Sequence, residues 1–314
     1  MVSSPKDAQF GLPSIVFLAH ARHDRVAESI AALADARNFA RHHLVVVIDG
    51  RWPQTVGAIQ ARAEPTVLLE RLQSESIAPR TRILRNLRAG LSLGFQELGS
   101  PYCVVIEDDI VVAKDFLDFI SSCMRRFSLD SGFRAVNGFS RMQTADGASP
   151  QGVIRGNFGV GWGWALNRRT YGTVARLLKW EGDYHWDSLV EPYMRTGYVV
   201  NPARSRIKNI GFGEGALHTN TARHKIMGRE MQESFLSEAA WVSDPSNIAI
   251  STLDFRWRDD FINLENSRRY ARIIAPLSGR FLYALFHLRQ TFWRLGFVTL
   301  ERSTARAIKF IRFT

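Results

Sequence analysis

The 314-residue chain contains only two cysteines, Cys103 and Cys123, which is too few for a disulfide scaffold and fits buried free thiols in a reducing compartment. It has no run of about 18 uncharged apolar residues, so no membrane-spanning helix is expected. The first seven residues, Met-Val-Ser-Ser-Pro-Lys-Asp, lack the basic and apolar regions of a signal peptide, and we expect none. There is no internal repeat. These absences favour an ordinary folded protein with a sizeable core.

The net charge of +11 is unevenly distributed. Residues 268–314 contain ten Lys or Arg and one acid, Glu301, which gives this segment +9 and leaves +2 for the remainder. Basic side chains mixed with aromatic ones suit the headgroup region of an anionic membrane. We therefore expect a catalytic domain at 1–265 and a basic amphipathic helical tail at 266–314, peripheral on the cytoplasmic face of the membrane. Packing of the tail on the core, a dimer contact or nucleic-acid binding are alternatives; we predict no nucleic-acid partner.

Apolar segments of strand length alternate with segments of helical periodicity through the first half of the chain. This alternation predicts an α/β fold with a mostly parallel central sheet and helices on both faces. The predicted strands are 14–19, 44–48, 65–69, 104–106, 110–112 and 133–136, and the predicted helices are 24–37, 79–98 and 114–127.

Three consecutive carboxylates, Glu107, Asp108 and Asp109, interrupt the apolar run of residues 102–112. Removing an anion from water costs several kcal/mol unless it is paired or binds a metal. Carboxylate oxygens are hard ligands, so the cation they suit is Mg²⁺ or Mn²⁺ rather than structural zinc. The alternative is a solvated acidic turn between two strands.

Other polar residues also follow predicted strands. His20 and Arg22 come after the first strand, and Asp49 ends the second. Ligands of parallel sheets bind beyond the carboxyl ends of the strands. We therefore predict a pocket at this edge, formed with the three acids.

The second half is rich in glycine and aromatic residues. Trp162 and Trp164 stand among three glycines, Trp186 precedes Asp187, and the basic residues Arg204, Arg206 and Lys208 precede a glycine-rich stretch, 211–218. Indole faces stack on sugars, and a glycine-rich loop beside basic residues can close over a diphosphate. Core packing of the two tryptophans in a bent strand is the alternative.

In this order, the motifs Val105-Ile-Glu-Asp-Asp-Ile-Val-Val-Ala-Lys-Asp-Phe116, Gly161-Trp-Gly-Trp164 and Trp186-Asp187 resemble those of the GT-A glycosyltransferases. The chain is most similar to the inverting N-acetylglucosaminyltransferase I type, from about Ile15 to His218. The resemblance implies a GT-A fold, a nucleotide-sugar donor and a divalent metal.

The resemblance also implies a role for each matching position. For the donor, it implies that Arg22 contacts the diphosphate, that Asp49 recognises uracil or ribose, and that Glu107 and Asp108 contact the donor sugar and ribose. It implies that Asp109 and His218 bind the metal. It also implies that the loop 161–164 lies beside donor and acceptor and that Asp187 is catalytic. Asn86 stands where the similar family has a uridine-contacting His. We also expect Arg206 or Lys208 to contact the donor, and Trp162, Trp164 and Trp186 to contact the acceptor or sugar.

Transfer of a sugar to a hydroxyl needs a base on the face opposite the leaving group, and one such base gives inversion. Asp187 is our candidate, since the neighbouring indole of Trp186 would withdraw it from water. Glu191 and Asp183 are rival bases, and a helix N-cap is the structural alternative for Asp187.

The sequence thus predicts a metal-dependent inverting transferase. Its expected donor is a UDP-sugar such as UDP-GlcNAc, its cofactor Mn²⁺ or Mg²⁺, and its acceptor a glycan or lipid-linked hydroxyl. The alternatives are an inactive nucleotide-sugar-binding protein and a metal-dependent nucleotidyltransferase. The first strand ends in His20-Ala-Arg22 without glycine, which argues against a nucleotidyltransferase.

Overall fold

The computed structural model describes residues 11–140, 152–156, 161–179, 186–211 and 250–252, all within a unit that spans Met1–Leu253. The predicted domain boundary at 265/266 and the predicted basic tail lie outside the described residues. Within those residues, no helix is both long enough and apolar enough to cross a membrane.

Six α-helices are present in the described segments. They are α1 (His23–Ala34), α2 (Pro53–Gln60), α3 (Pro79–Ser92), α4 (Phe116–Phe127), α5 (Arg168–Leu177) and α6 (Trp186–Met194). A π-helical turn at Leu93–Glu97 continues α3, so the single helix predicted at 79–98 changes its hydrogen bonding near its end.

Eleven strands accompany these helices. They are β1 (Ser14–Ala19), β2 (His43–Asp49), β3 (Val67–Arg71), β4 (Tyr102–Glu107), β5 (Ile110–Val112), β6 (Phe133–Asn137), β7 (Val153–Gly156), β8 (Trp164–Asn167), β9 (Tyr198–Pro202), β10 (Ile207–Asn209) and β11 (Ile250–Thr252). Nine form one sheet in the order β11-β7-β9-β6-β8-β4-β1-β2-β3. The large, mostly parallel sheet flanked by helices confirms the predicted α/β class.

The site lies at the edge of the sheet where β1 and its two parallel neighbours end. Every residue of β1 is buried, as expected for a central parallel strand. It pairs with β2 on one side and with β4 on the other, with Leu18 opposite Glu107. The carboxyl ends of these strands are therefore level, and the polar residues that follow them meet at one edge of the sheet.

A separate two-stranded sheet brings a distant segment to the same edge. Asn209 of β10 lies opposite Ile110 of β5 in an antiparallel pair. The backbone N–H of Ile210 then donates to the carbonyl oxygen of Asp109 at 2.8 Å. The start of the glycine-rich stretch is thereby held against the carboxylates.

Candidate active site

Arg22 and two acids form the centre of the site. Arg22 Nη2 donates to Asp108 Oδ1 and to Asp109 Oδ2, the latter at 3.2 Å. The backbone N–H of His20 donates to the second oxygen of Asp108 at 3.1 Å. The side chains of Asp108 and Asp109 are only 5% and 13% exposed, so the three acids do not form a solvated acidic turn.

Burial and neighbouring charges perturb the pKa values of all three acids. Burial, reinforced by the charges of Asp109 and Asp108, raises the pKa of Glu107 to about 8, while a hydrogen bond from the Trp186 side chain opposes the shift. Burial is also the main cause of the raised pKa values of Asp108 and Asp109, and Arg22 opposes it in both. A bound cation stabilises neighbouring buried carboxylates of this kind in their charged form.

The raised pKa of Glu107 predicts how stability depends on pH. The folded pKa of about 8 lies above the ordinary value of 4.5, so between these pH values the folded protein holds a proton that the unfolded chain releases. Stability contributed by Glu107 is therefore present below about pH 4.5 and is lost as pH rises through about 8. We expect the wild type to lose thermal stability over this window faster than Glu107→Gln, measured without divalent cation. If the melting temperatures of the two proteins fell equally over this pH range, the raised pKa of Glu107 would be contradicted.

The residues around Asp109 fit a divalent cation. Asp109 Oδ1 is buried and accepts no hydrogen bond from the described residues. A Cβ added to Gly211 would lie 2.0 Å from Asp109 Oδ2, so only glycine allows the backbone this close. Among the described residues no group of three His, Cys, Asp or Glu encloses a metal position. Mg²⁺ commonly binds through one or two carboxylates plus substrate phosphates, which suits such a site.

A second cluster lies where β2 and β3 end. The side-chain nitrogen of Gln73 donates to Asp49 Oδ1 at 3.2 Å and to Asn86 Oδ1 at 2.9 Å. Arg82 Nε lies 3.2 Å from Asp49 Oδ2. Asp49 and Asn86 were expected here, whereas Gln73 and Arg82 were not: neither belongs to a motif, and only the folded chain brings them to Asp49.

The aromatic side of the site is formed by β8 and α6. Trp164 is 1% exposed and stacks on Trp186 with ring centroids 5.2 Å apart, so it supports Trp186 from the core and presents no face to a sugar. Trp162 is partly exposed and packs edge-on against Phe139 at 5.5 Å. Core packing is therefore the better interpretation for Trp164.

Two of the three candidate bases, Asp187 and Glu191, lie on α6. Helix α6 begins at Trp186, which puts Asp187 in its first turn rather than at the N-cap. Asp187 is exposed, whereas we expected it to be withdrawn from water; Glu107 is the carboxylate whose pKa is raised by burial. The charge of Asp187 contributes to the raised pKa of Glu107, which indicates that Asp187 lies near the acids. Glu191 is hydrogen-bonded by Arg195 Nε at 3.1 Å. Asp183 lies outside the described residues.

Arg206 has a structural position that the sequence analysis did not foresee. Its side chain and that of Asp115 are both 0% exposed, with Nε and Oδ2 3.1 Å apart. Arg206 Nη1 also donates to the backbone oxygen of Arg204 at 2.7 Å. The guanidinium thus neutralises a buried acid instead of facing a donor, which corrects the expected contact. Lys208 is partly exposed on β10, and His218 lies outside the described residues.

The buried pair predicts a large effect on stability. Arg206→Met leaves Asp115 buried without its cation, which should lower the free energy of unfolding by about 3–5 kcal/mol. Arg204→Met, at an exposed position two residues away, should change it by less than about 0.5 kcal/mol. Urea denaturation of both variants measures the difference. Equal, small effects would show that the pair contributes little.

The chain matches a protein-family model and is similar to a solved structure. A family model described as the GNT-I family matches residues 6–221, more than two thirds of the chain. Among solved structures, the crystal structure of S. aureus TarS 1-349 is similar with a TM-score of 0.45 and 9% sequence identity. That match covers 62% of this chain and 59% of the TarS chain, so the present chain spans less than two thirds of it.

Proposed function

The chain belongs to the GNT-I family and is a glycosyltransferase of the GT-A type, and from this premise we propose that it transfers a sugar from a UDP-sugar to a hydroxyl with inversion. UDP-GlcNAc is the first donor to test, and a glycan or a lipid-linked saccharide is the proposed acceptor. The observation that carries the proposal is the buried acid cluster at the carboxyl end of β4, in which Asp109 Oδ1 has no hydrogen-bond partner among the residues that the structure describes.

Asp109 would hold a divalent cation, Mn²⁺ or Mg²⁺, which when bound supplies charge neutralisation for the departing diphosphate. Arg22 provides a second positive charge beside it. Its side chain is 34% exposed, so N–H groups beyond those bonded to the acids remain accessible to phosphate oxygens. Asp108, fixed by Arg22 and by the His20 N–H, keeps that guanidinium in place.

The acceptor hydroxyl would be deprotonated on the opposite face by Asp187. The exposed position of Asp187 in the first turn of α6 leaves its carboxylate accessible to an acceptor. Trp186 links this helix to Glu107 through its side-chain hydrogen bond, which supports a location of the base close to the donor side. A single displacement of this kind inverts the anomeric centre.

Product analysis tests the proposal and separates it from its alternatives. The full chain is incubated with UDP-GlcNAc, Mn²⁺ and a panel of glycan and lipid-linked acceptors, and UDP release and glycan mass are measured. UDP together with a product heavier by one sugar supports transfer. Saturable UDP binding without turnover favours a binding protein, and pyrophosphate release from a nucleoside triphosphate favours a nucleotidyltransferase.

The basic segment 268–314 supports a second proposal, peripheral binding to an anionic membrane, on its sequence alone. Co-sedimentation with phosphatidylserine-containing vesicles, compared between the full chain and a chain ending at residue 265, tests it. Equal soluble fractions of the two proteins would overturn it.

A further inference from the structure

The cluster around Gln73 holds a buried acceptor without a hydrogen-bond partner among the described residues. That atom is Gln73 Oε1, and the same side chain contacts Asp49 through its nitrogen. Arg82 Nε also makes no hydrogen bond there, but it is ion-paired with Asp49 Oδ2 at 3.2 Å. Buried polar atoms are normally paired, so a ligand donor that bonds Oε1 is the explanation to test.

The orientation of the Gln73 amide follows from its surroundings. Its nitrogen faces Asp49 Oδ1, the backbone oxygen of Arg82 at 3.3 Å and Asn86 Oδ1 at 2.9 Å. The carboxylate and the carbonyl can only accept hydrogen bonds, so the group that faces them must be the NH₂. Oε1 is consequently the atom left for a ligand, and it requires a ligand donor.

An aromatic surface adjoins this cluster. Trp52 is 39% exposed, and its indole N–H donates to the backbone oxygen of Asp49 at 2.8 Å. Gly50 has φ +102°, and a Cβ there would lie 2.7 Å from Trp52 Nε1, so the indole packs against a position that only glycine allows. A ring face beside hydrogen-bonding groups is what a planar, polar ligand needs.

We infer that Gln73 determines the nucleobase specificity of the donor site, its Oε1 accepting the ring N3–H of uracil. This rests on the proposed function, in which the donor is a UDP-sugar. Uracil in a nucleotide has one base N–H donor, N3–H, flanked by two carbonyl oxygens.

Asp49 then acts as a positioning residue. One of its oxygens holds Gln73 and the other lies against Arg82, so its carboxylate orients both groups instead of reading the base itself. Cytosine has the same shape as uracil but carries an unprotonated N3, which would place one acceptor against another. Since the ribose and diphosphate fix where the ring lies, cytosine cannot shift to avoid this contact.

The test compares UDP and CDP binding, in the presence of Mn²⁺, to the full chain and to Gln73→Met by calorimetry. We expect the wild type to prefer UDP by about tenfold or more, and Gln73→Met to lose about tenfold for UDP and little for CDP. N3-methyl-UDP should bind the wild type as weakly as CDP. The matched control is Gln60→Met, at an exposed position at the end of α2.

Two results would overturn the inference in distinguishable ways. Equal losses for UDP and CDP in Gln73→Met would show that Oε1 contacts ribose or phosphate, leaving the proposed function intact. A wild type that binds neither nucleotide would remove the proposed function as well. If Gln73→Met does not fold, judged by its thermal transition, N3-methyl-UDP binding to the wild type decides: affinity equal to that of UDP excludes the N3 contact.

Discussion

Asp187→Asn is expected to reduce sugar transfer by about a thousandfold while leaving UDP affinity within about twofold of the wild type. The amide is nearly the same size as the carboxylate but cannot take the proton of the acceptor hydroxyl. Asp187 is exposed in the first turn of α6, so the substitution changes a side chain outside the core. Single-turnover transfer from UDP-GlcNAc and calorimetric UDP binding measure the two quantities separately.

Glu191→Gln is the matched control for this prediction. Glu191 lies one turn further along the same helix and is bonded by Arg195, so its carboxylate is already engaged. We expect this variant to keep most of its activity. If Asp187→Asn turned over at near wild-type rate while Glu191→Gln did not, the base would have to be reassigned to Glu191.

Asp109→Ala is expected to abolish the Mn²⁺-dependent part of UDP binding, measured as the increase in melting temperature when Mn²⁺ is added to protein and UDP. The reason is that Asp109 Oδ1 is a buried carboxylate oxygen that accepts no hydrogen bond within the described part of the chain. Without metal, the variant should be at least as stable as the wild type, because one of three crowded acids has been removed.

Asp24→Ala provides the control for Asp109→Ala, since that carboxylate is close in sequence to Arg22 and its side chain is 95% exposed. It should retain the full Mn²⁺-dependent increase. A normal increase in Asp109→Ala would exclude this carboxylate as a metal ligand.

The sequence predicted the first half of the fold well because its signals are local. The apolar runs at β1, β2 and β4 and the polar residues that end them are adjacent in the chain, and parallel pairing brings those ends together. The cluster at Asp49 was only half predicted. Gln73 and Arg82 are single polar residues without a motif, and their role comes from contacts across 24 and 33 positions that periodicity does not encode.

The second half was less predictable for a different reason. Strand β8 enters the sheet antiparallel between β4 and β6, so the burial of Trp164 depends on a strand order that no local pattern specifies. Trp164 consequently became a core residue that supports Trp186. Arg206 resembled a phosphate ligand in sequence, but the pairing of β10 with β5 brings it to Asp115 in the interior.

The contacts of Trp186 also limit how this enzyme can be redesigned. Its side chain hydrogen-bonds Glu107 on the proposed donor side and stacks on Trp164, while the next residue is the proposed base. Any change that rotates or slides α6 to admit a new acceptor would therefore also alter the acids of the proposed donor site. Acceptor range is better engineered in residues that do not touch this tryptophan.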